Sequence, residues 1–208
     1  MAGRTGTETV PGAETPSTPS GAPQRLLSAA VEAFAEHGFH ATTTRDIAGR
    51  AGMSPAALYI HYRTKEELLY HISRLGHERS VRILTEASAR PGGAAERLSA
   101  AIGAFVRWHA DRRATARVVQ YELGALADEH ATEIRGLRRR SSEILRAILA
   151  GGVAAGEFRI DDVRTTARAM LSLCVDVARW FDPAGPESSE RLAARYADLA
   201  LRMAGASR

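Results

Sequence analysis

Three helix starts lie within 22 residues of this sequence, and they constrain its fold more than any other feature. Thr43, Ser54 and Thr64 are followed by an acidic residue three positions on or by proline at the first helical position, as is typical of helix N-termini. Gly52 can adopt the left-handed conformation that ends a helix. Two short helices joined by a three-residue turn beginning with glycine form a helix-turn-helix motif. The spacing predicts helices over about residues 44–51, 55–62 and 65–89.

The remainder of the chain shows helical signals only. Apolar residues such as Leu27, Val31 and Phe34 recur at helical spacing, and no segment alternates apolar and polar residues in the manner of a strand. We therefore predict an all-α fold. A first helix ends at Gly38, and the later helices are expected at about residues 94–110, 113–126, 129–155, 162–181 and 188–204.

Composition predicts three parts. Residues 1–21 are rich in Gly, Pro, Thr and Ser without an aromatic residue, so we expect a disordered tail there. Residues 22–70 hold an N-terminal three-helix domain with the helix-turn-helix, and residues 71–208 form a larger helical domain. No apolar run is long enough for a membrane helix or a signal peptide. We therefore expect a soluble, cytoplasmic protein with no membrane partner.

Enzymatic and metal chemistry is not expected. The seven histidines are scattered without metal-ligand spacing, and no glycine motif for phosphate is present. Cys174 is the only cysteine and lies within an apolar helical stripe, which favours a buried thiol over a nucleophile. We predict no catalytic residue, no metal site and no cofactor.

Positive charge is concentrated in the helix-turn-helix. Four basic residues and one acidic residue lie between Phe39 and Lys65, whereas the whole chain has a net charge of +4. A helix of about eight residues is roughly 12 Å long and fits the major groove of DNA. Arg45 is a candidate for a guanine or phosphate contact, the alternative being a solvated surface arginine. Lys65, in the first turn of the next helix, is placed to meet a phosphate.

The second short helix supplies further candidates. Tyr59 and His61 offer hydroxyl and imidazole donors for phosphates, although a single histidine is more often structural. Tyr62 is expected in the core. Ala56 and Ala57 can touch a thymine methyl group but donate no hydrogen bond, so most direct base recognition is expected from Arg45.

The run from Phe39 to Leu69 closely resembles the DNA-binding domain of tetracycline-repressor-type (TetR/AcrR) regulators. The family motif Tyr-x-His-Phe appears here as Tyr59-Ile60-His61-Tyr62, and Ala57 stands where relatives often have glycine. The resemblance implies a homodimeric transcription factor, usually a repressor, that binds a palindromic double-stranded DNA operator and is released by a small molecule. It also implies a dimer interface formed by the last two helices. The positions that match DNA contacts in relatives are Thr44, Arg45, Ser54, Ala56, Ala57, Tyr59, His61 and Lys65.

The C-terminal part resembles regulators of lipid and steroid catabolism, which typically sense CoA thioesters. The similar runs are 121–123, 131–135, 152–159 and 179–185. This resemblance implies an acyl-CoA or steroid-CoA effector held in a ligand-binding and dimerisation domain. The candidate ligand contacts are Trp108, Arg117, Tyr121, Arg179 and Trp180.

Purely structural roles remain open for these aromatic residues and arginines. Aromatic residues at helical spacing usually fill a core, and arginines usually face water. Two alternative functions share the same N-terminal motif: a DNA-binding regulator that responds to no ligand, and a repressor that senses a hydrophobic compound other than a CoA thioester.

Overall fold

The computed structural model describes residues 21–206, and this part of the chain consists of nine α-helices and one 3-10 turn without any strand. The all-α prediction is confirmed. The predicted tail at residues 1–21 lies outside the described residues except for Gly21. The helices are α1 (Ala22–His37), α2 (Thr44–Arg50), α3 (Pro55–His61), α4 (Lys65–Ser88), α5 (Ala94–Asp111), α6 (Arg113–Tyr121), α7 (Asp128–Ala154), α8 (Val163–Trp180) and α9 (Ser189–Met203).

The three predicted N-caps are all present. The hydroxyl oxygens of Thr43, Ser54 and Thr64 accept the backbone N–H three residues on, at 3.2, 3.2 and 3.0 Å. At Thr43 the cap is reciprocal, since the Asp46 carboxylate accepts the Thr43 N–H at 2.9 Å. Gly52 has a φ of +66°, the left-handed conformation that closes α2 and allows the turn into α3.

One predicted helix ends early. Helix α6 stops at Tyr121 rather than at residue 126, and a 3-10 turn over Leu123–Ala125 follows it. Gly124 has a low helix propensity, and Leu126 leaves the helix to enter the core, where it is buried. The N-cap residue of α7 is Ala127, whose side chain cannot accept a hydrogen bond. Its backbone N–H instead donates to Glu66 of α4 at 2.9 Å.

The apolar residues form two cores. One core belongs to α5, α7, α8, α9 and the second half of α4. The other fills the space between α1, α2, α3 and the start of α4, and it also contains Val118 and Val119 of α6, Leu126, and Ile134 of α7. The N-terminal helices therefore share their core with two elements of the larger domain.

Helices α4 and α6 approach each other closely at Gly76. A Cβ atom added there would lie 2.5 Å from Val119 Cγ2 and 3.1 Å from Val119 Cγ1, closer than side-chain atoms normally come. Only a residue without a side chain lets α4 and α6 approach to this distance. Among the described helices, none is both long and apolar enough to cross a membrane.

Candidate DNA-binding surface and effector site

Helices α2 and α3 are held by buried side chains on one side and a polar contact on the other. Ile47 and Leu58 are fully buried beneath the motif. Across the outer side, the hydroxyl groups of Thr44 and Tyr59 lie 3.1 Å apart and hydrogen bond to each other. This pair joins the start of α2 to the end of α3, so two predicted DNA contacts also position one another.

Most of the predicted DNA contacts are exposed to solvent. Thr44, Ala57 and Lys65 are half-buried, and the exposed ones are Arg45, Ser54, Ala56, Tyr59 and His61. Arg45 makes no side-chain hydrogen bond or ion pair with any residue in the 21–206 range. Ser54 uses its oxygen to cap α3, which leaves its O–H able to donate to a phosphate.

Two other cations of the motif are engaged inside the protein. The Lys65 ammonium donates to the carbonyl oxygens of Phe39 at 2.6 Å and Thr42 at 2.7 Å, and it lies 4.3 Å from the centre of the Phe39 ring. Arg50 forms an ion pair with Glu36 of α1. Lys65 thus holds the loop between α1 and α2 in place, and its phosphate contact stays a prediction.

Sequence reasoning missed Ile60. Its side chain is 80% exposed, although it is a large apolar residue in a well-packed motif. At 100° per residue it lies almost opposite the buried Leu58 and beside Ala56. This position on the helical wheel was the available signal. An apolar side chain on this surface can contact a thymine methyl group.

Replacement of Ile60 with alanine is expected to weaken operator binding several-fold and leave the melting temperature unchanged. The side chain makes little contact within the protein, so its loss exposes no core. Fluorescence polarisation with labelled operator and a thermal melt of the same sample measure the two quantities. Unchanged affinity at every operator would show that Ile60 does not reach the DNA.

The larger domain brings three of the five predicted ligand contacts, Arg117, Tyr121 and Arg179, close together. The Tyr121 hydroxyl donates to Asp176 Oδ1 at 3.3 Å, and Arg179 Nε lies 3.3 Å from the same oxygen. Burial raises the pKa of Tyr121 and Asp176 adds to this, whereas the nearby Arg179 and Arg117 act in the opposite direction. Trp180 follows Arg179 in the chain and is half exposed.

Trp108 is placed elsewhere. It lines one groove of about 500 Å³ between α4 and α5 and another of about 560 Å³ between α1, α4 and α6. Arg79 and Arg112 line both grooves, and neither Tyr121 nor Trp180 lines either. The contact of Trp108, Tyr121 and Trp180 with one apolar chain stays a prediction, although the two grooves that Trp108 lines do not include the other two residues. Helical spacing could not reveal this placement of Trp108, because spacing does not specify how α5 and α6 pack on the other helices.

The buried thiol and histidines show no catalytic arrangement. Burial raises the pKa of Cys174 to about 12, so this thiol stays protonated. Burial also lowers the pKa of His109 to about 4, and its Nδ1 lies 2.8 Å from the Phe105 carbonyl oxygen. Over the described range no three His, Cys, Asp or Glu side chains converge in a way that would hold a metal ion.

Two family models match the chain. Residues 26–72 match "Bacterial regulatory proteins, tetR family", and residues 91–204 match "Tetracyclin repressor-like, C-terminal domain". The protein belongs to the TetR family. It is a DNA-binding transcriptional repressor and not an enzyme.

Relatives agree over almost the whole length of this repressor. It is 31% identical to the HTH-type transcriptional repressor KstR2 of Mycolicibacterium smegmatis over 194 residues, 90% of this chain and 93% of that protein. A TetR-family crystal structure from Rhodococcus RHA1 is 44% identical with a TM-score of 0.86, covering 91% of this chain and 100% of the other. The ketosteroid transcriptional regulator KstR2 of Mycobacterium tuberculosis is 26% identical with a TM-score of 0.83, covering 92% and 97%.

Family membership assigns the helix-turn-helix of this repressor to DNA. TetR regulators bind DNA operators as dimers and respond to small-molecule effectors. The exposed surface formed by the start of α2 and the outer side of α3 is the part of the described chain that matches this task.

Proposed function

We propose that this TetR-family repressor is a ligand-responsive homodimer that acts in the cytoplasm. It binds a palindromic operator through α2 and α3 and is released when a fatty-acyl or steroid-like CoA thioester occupies the larger domain. The observation that carries the effector assignment is the cluster of Arg117, Tyr121 and Arg179 beside the exposed Trp180. Guanidinium groups pair with phosphates, and exposed aromatic rings stack on a nucleotide base or cover an apolar chain.

The relatives support a lipid-like effector. The solved KstR2 of Mycobacterium tuberculosis is described as a ketosteroid regulator, and its likeness covers 92% of this chain. The resemblance of the C-terminal runs to lipid and steroid regulators points in the same direction. Phosphates cannot be buried unpaired, so the nucleotide end must stay near the surface, where Arg117 and Arg179 lie.

The outer sides of the last two helices support dimerisation there. Leu173 of α8 is 41% exposed, which is unusual for a large apolar side chain on a well-packed domain. Tyr196, Leu199 and Met203 of α9 are only half-buried within one chain. A second copy related by a two-fold axis covers this surface and sets the two recognition helices one DNA turn apart, about 34–36 Å.

The contacts between the two parts of the chain supply a path for release. At the base of α4, Glu66 lies 2.8 Å from His130 Nδ1 of α7, and the Tyr70 ring stacks on His130 at a centroid distance of 3.8 Å. Further along α4, Gly76 packs on Val119 of α6. A ligand that displaces α6 or α7 therefore moves α4 and the attached motif. A small change in the spacing of two recognition helices costs one of the two half-site contacts.

The test measures operator release by fluorescence polarisation. The compounds are a chain-length series of acyl-CoAs, the matching free acids and free CoA. We expect thioesters to release the DNA, and Arg117→Gln or Arg179→Gln to raise the concentration needed about tenfold by removing a phosphate partner. Arg164→Gln is the matched control, because Arg164 is exposed on the same helix as Arg179 but roughly 22 Å away along its axis.

Two results would change the proposal. Release by an unrelated hydrophobic compound but by no thioester would contradict the CoA assignment and leave the repressor intact. Operator binding that no compound alters would favour a regulator that responds to no ligand.

A further inference from the structure

A small cavity with several polar lining residues lies between the helices of the larger domain. Its volume is about 70 Å³, and it is lined by residues of five helices, with His77 of α4, Gln120 of α6, and Arg138 and Ser141 of α7 as its main polar groups. Phe105 of α5 and Leu171 and Val175 of α8 complete the wall. A water molecule takes up about 30 Å³ in the liquid, so the cavity accommodates only one or two groups of that size.

Two of the lining side chains each have a buried polar atom without a hydrogen-bond partner among the described residues. His77 is 2% exposed and Ser141 is 6% exposed, and neither His77 Nε2 nor Ser141 Oγ has a partner among residues 21–206. Their neighbours are occupied: Ser80 Oγ donates to the Gly76 carbonyl oxygen at 3.1 Å, and Arg138 Nη1 donates to Gln120 Oε1 at 2.9 Å. Buried polar atoms are nearly always paired in folded proteins, so this pair requires an explanation.

The imidazole in this cavity is neutral. Burial lowers the pKa of His77 to about 4, and the positive charge of Arg138 acts in the same direction. A neutral imidazole has one N–H and one lone pair, and a serine hydroxyl both donates and accepts. Together they match an oxygen atom of a ligand. A keto oxygen can accept a hydrogen bond from the Ser141 hydroxyl, and a ligand hydroxyl can in addition donate to the lone pair of His77.

The cavity lies directly behind the proposed effector cluster. Gln120 and Val175 line the cavity, and the next residue in each case, Tyr121 and Asp176, forms the hydrogen bond on the outer side of α6 and α8. The cavity and the effector cluster are therefore built from neighbouring residues of the same two helices.

We propose that His77 and Ser141 recognise an oxygen atom at the buried end of the effector, so that the repressor selects hydroxylated or keto-bearing ligands over plain alkyl chains. This inference rests on the proposed ligand-responsive function and narrows its ligand class. An alkyl end leaves both polar groups unpaired in the bound state, whereas an oxygen pairs them. Sites built around a hydrogen bond discriminate strongly against analogues that lack the bonding atom.

The experiment uses two matched pairs of probes on the full-length protein bound to its operator. One pair is dodecanoyl-CoA and 12-hydroxydodecanoyl-CoA, and the other is the corresponding free acids. We expect the hydroxylated member of at least one pair to release the operator at a concentration at least tenfold lower than its alkyl partner. In Ser141→Ala and His77→Phe this preference is expected to disappear.

Stability measurements separate recognition from folding. Ser141→Ala removes a buried unpaired hydroxyl, so its melting temperature is expected to stay equal or rise while the preference is lost. Ser73→Ala is the matched control, because Ser73 is also buried and unpaired but does not line the cavity. It is expected to keep the full preference for the hydroxylated probe.

The outcomes distinguish the inference from the proposed function. A preference seen only with the free acids contradicts the proposal that the effector is a CoA thioester, but it supports recognition of the oxygen atom by His77 and Ser141. Equal release by both members of a pair, or a preference that Ser141→Ala leaves intact, overturns the inference and indicates a cavity filled by water only. Release by none of the four probes overturns it as well.

Discussion

Arg45→Ala is expected to bind the operator about 10- to 100-fold more weakly than the wild-type repressor and to lose base preference at one position of each half-site. Arg45 is exposed at the start of α2 and pairs with no other described side chain. The outer side of α3 offers Ala56, Ala57 and Ile60, which donate no hydrogen bond to a base edge. A bidentate arginine–guanine contact contributes about 1–3 kcal/mol of discrimination.

Selection of operator sequences by the wild-type and variant proteins measures this preference, and polarisation at several salt concentrations measures affinity. Arg45→Lys is the control. It keeps the positive charge and hence the non-specific, salt-dependent binding, but it lacks the planar guanidinium group that forms two parallel hydrogen bonds to guanine. The melting temperature is expected to be unchanged in both variants. Base preference that remains undiminished at every position would exclude Arg45 as a base contact.

Gly76→Ala is expected to lose about 1–2 kcal/mol of unfolding free energy, although alanine is a better helix former than glycine. The new Cβ meets Val119 at 2.5 Å, so either that side chain or α6 must move. Overpacking of this kind typically costs about 1–3 kcal/mol, and the better helix propensity returns up to about 1 kcal/mol. Chemical denaturation of both proteins measures the difference.

Two companion variants test the cause. In Gly76→Ala/Val119→Ala the clash is removed, so the double variant is expected to be less destabilised than the sum of the two single changes. Gly136→Ala is the matched control within α7, because its nearest neighbour would lie 3.8 Å from the added Cβ, an ordinary contact. It is expected to be neutral or slightly stabilising. If Gly76→Ala is as stable as Gly136→Ala, α6 moves away from the new Cβ atom without a loss of unfolding free energy, and the prediction is wrong.

The local elements of the motif could be predicted because their causes lie within a few residues. A Thr43, Ser54 or Thr64 hydroxyl caps the N–H three positions along the same chain, and Gly52 adopts a left-handed conformation that glycine accepts without a steric penalty. The all-α fold and the candidate DNA contacts on α2 and α3 were therefore within reach of the amino-acid sequence alone.

Contacts between distant segments depend on how the helices pack, which helical periodicity does not specify. Packing placed Lys65 against the Phe39 and Thr42 carbonyl oxygens and placed Trp108 in two grooves that Tyr121 does not line. It also brought His77 and Ser141, on helices far apart in the sequence, to one polar cavity. The sequence by itself determined the helical class of the fold and the helix ends of the DNA-binding motif, because short-range hydrogen bonds and backbone preferences act locally. The tertiary structure alone decided which polar side chains are free to meet a ligand, because burial and pairing depend on neighbours from other helices.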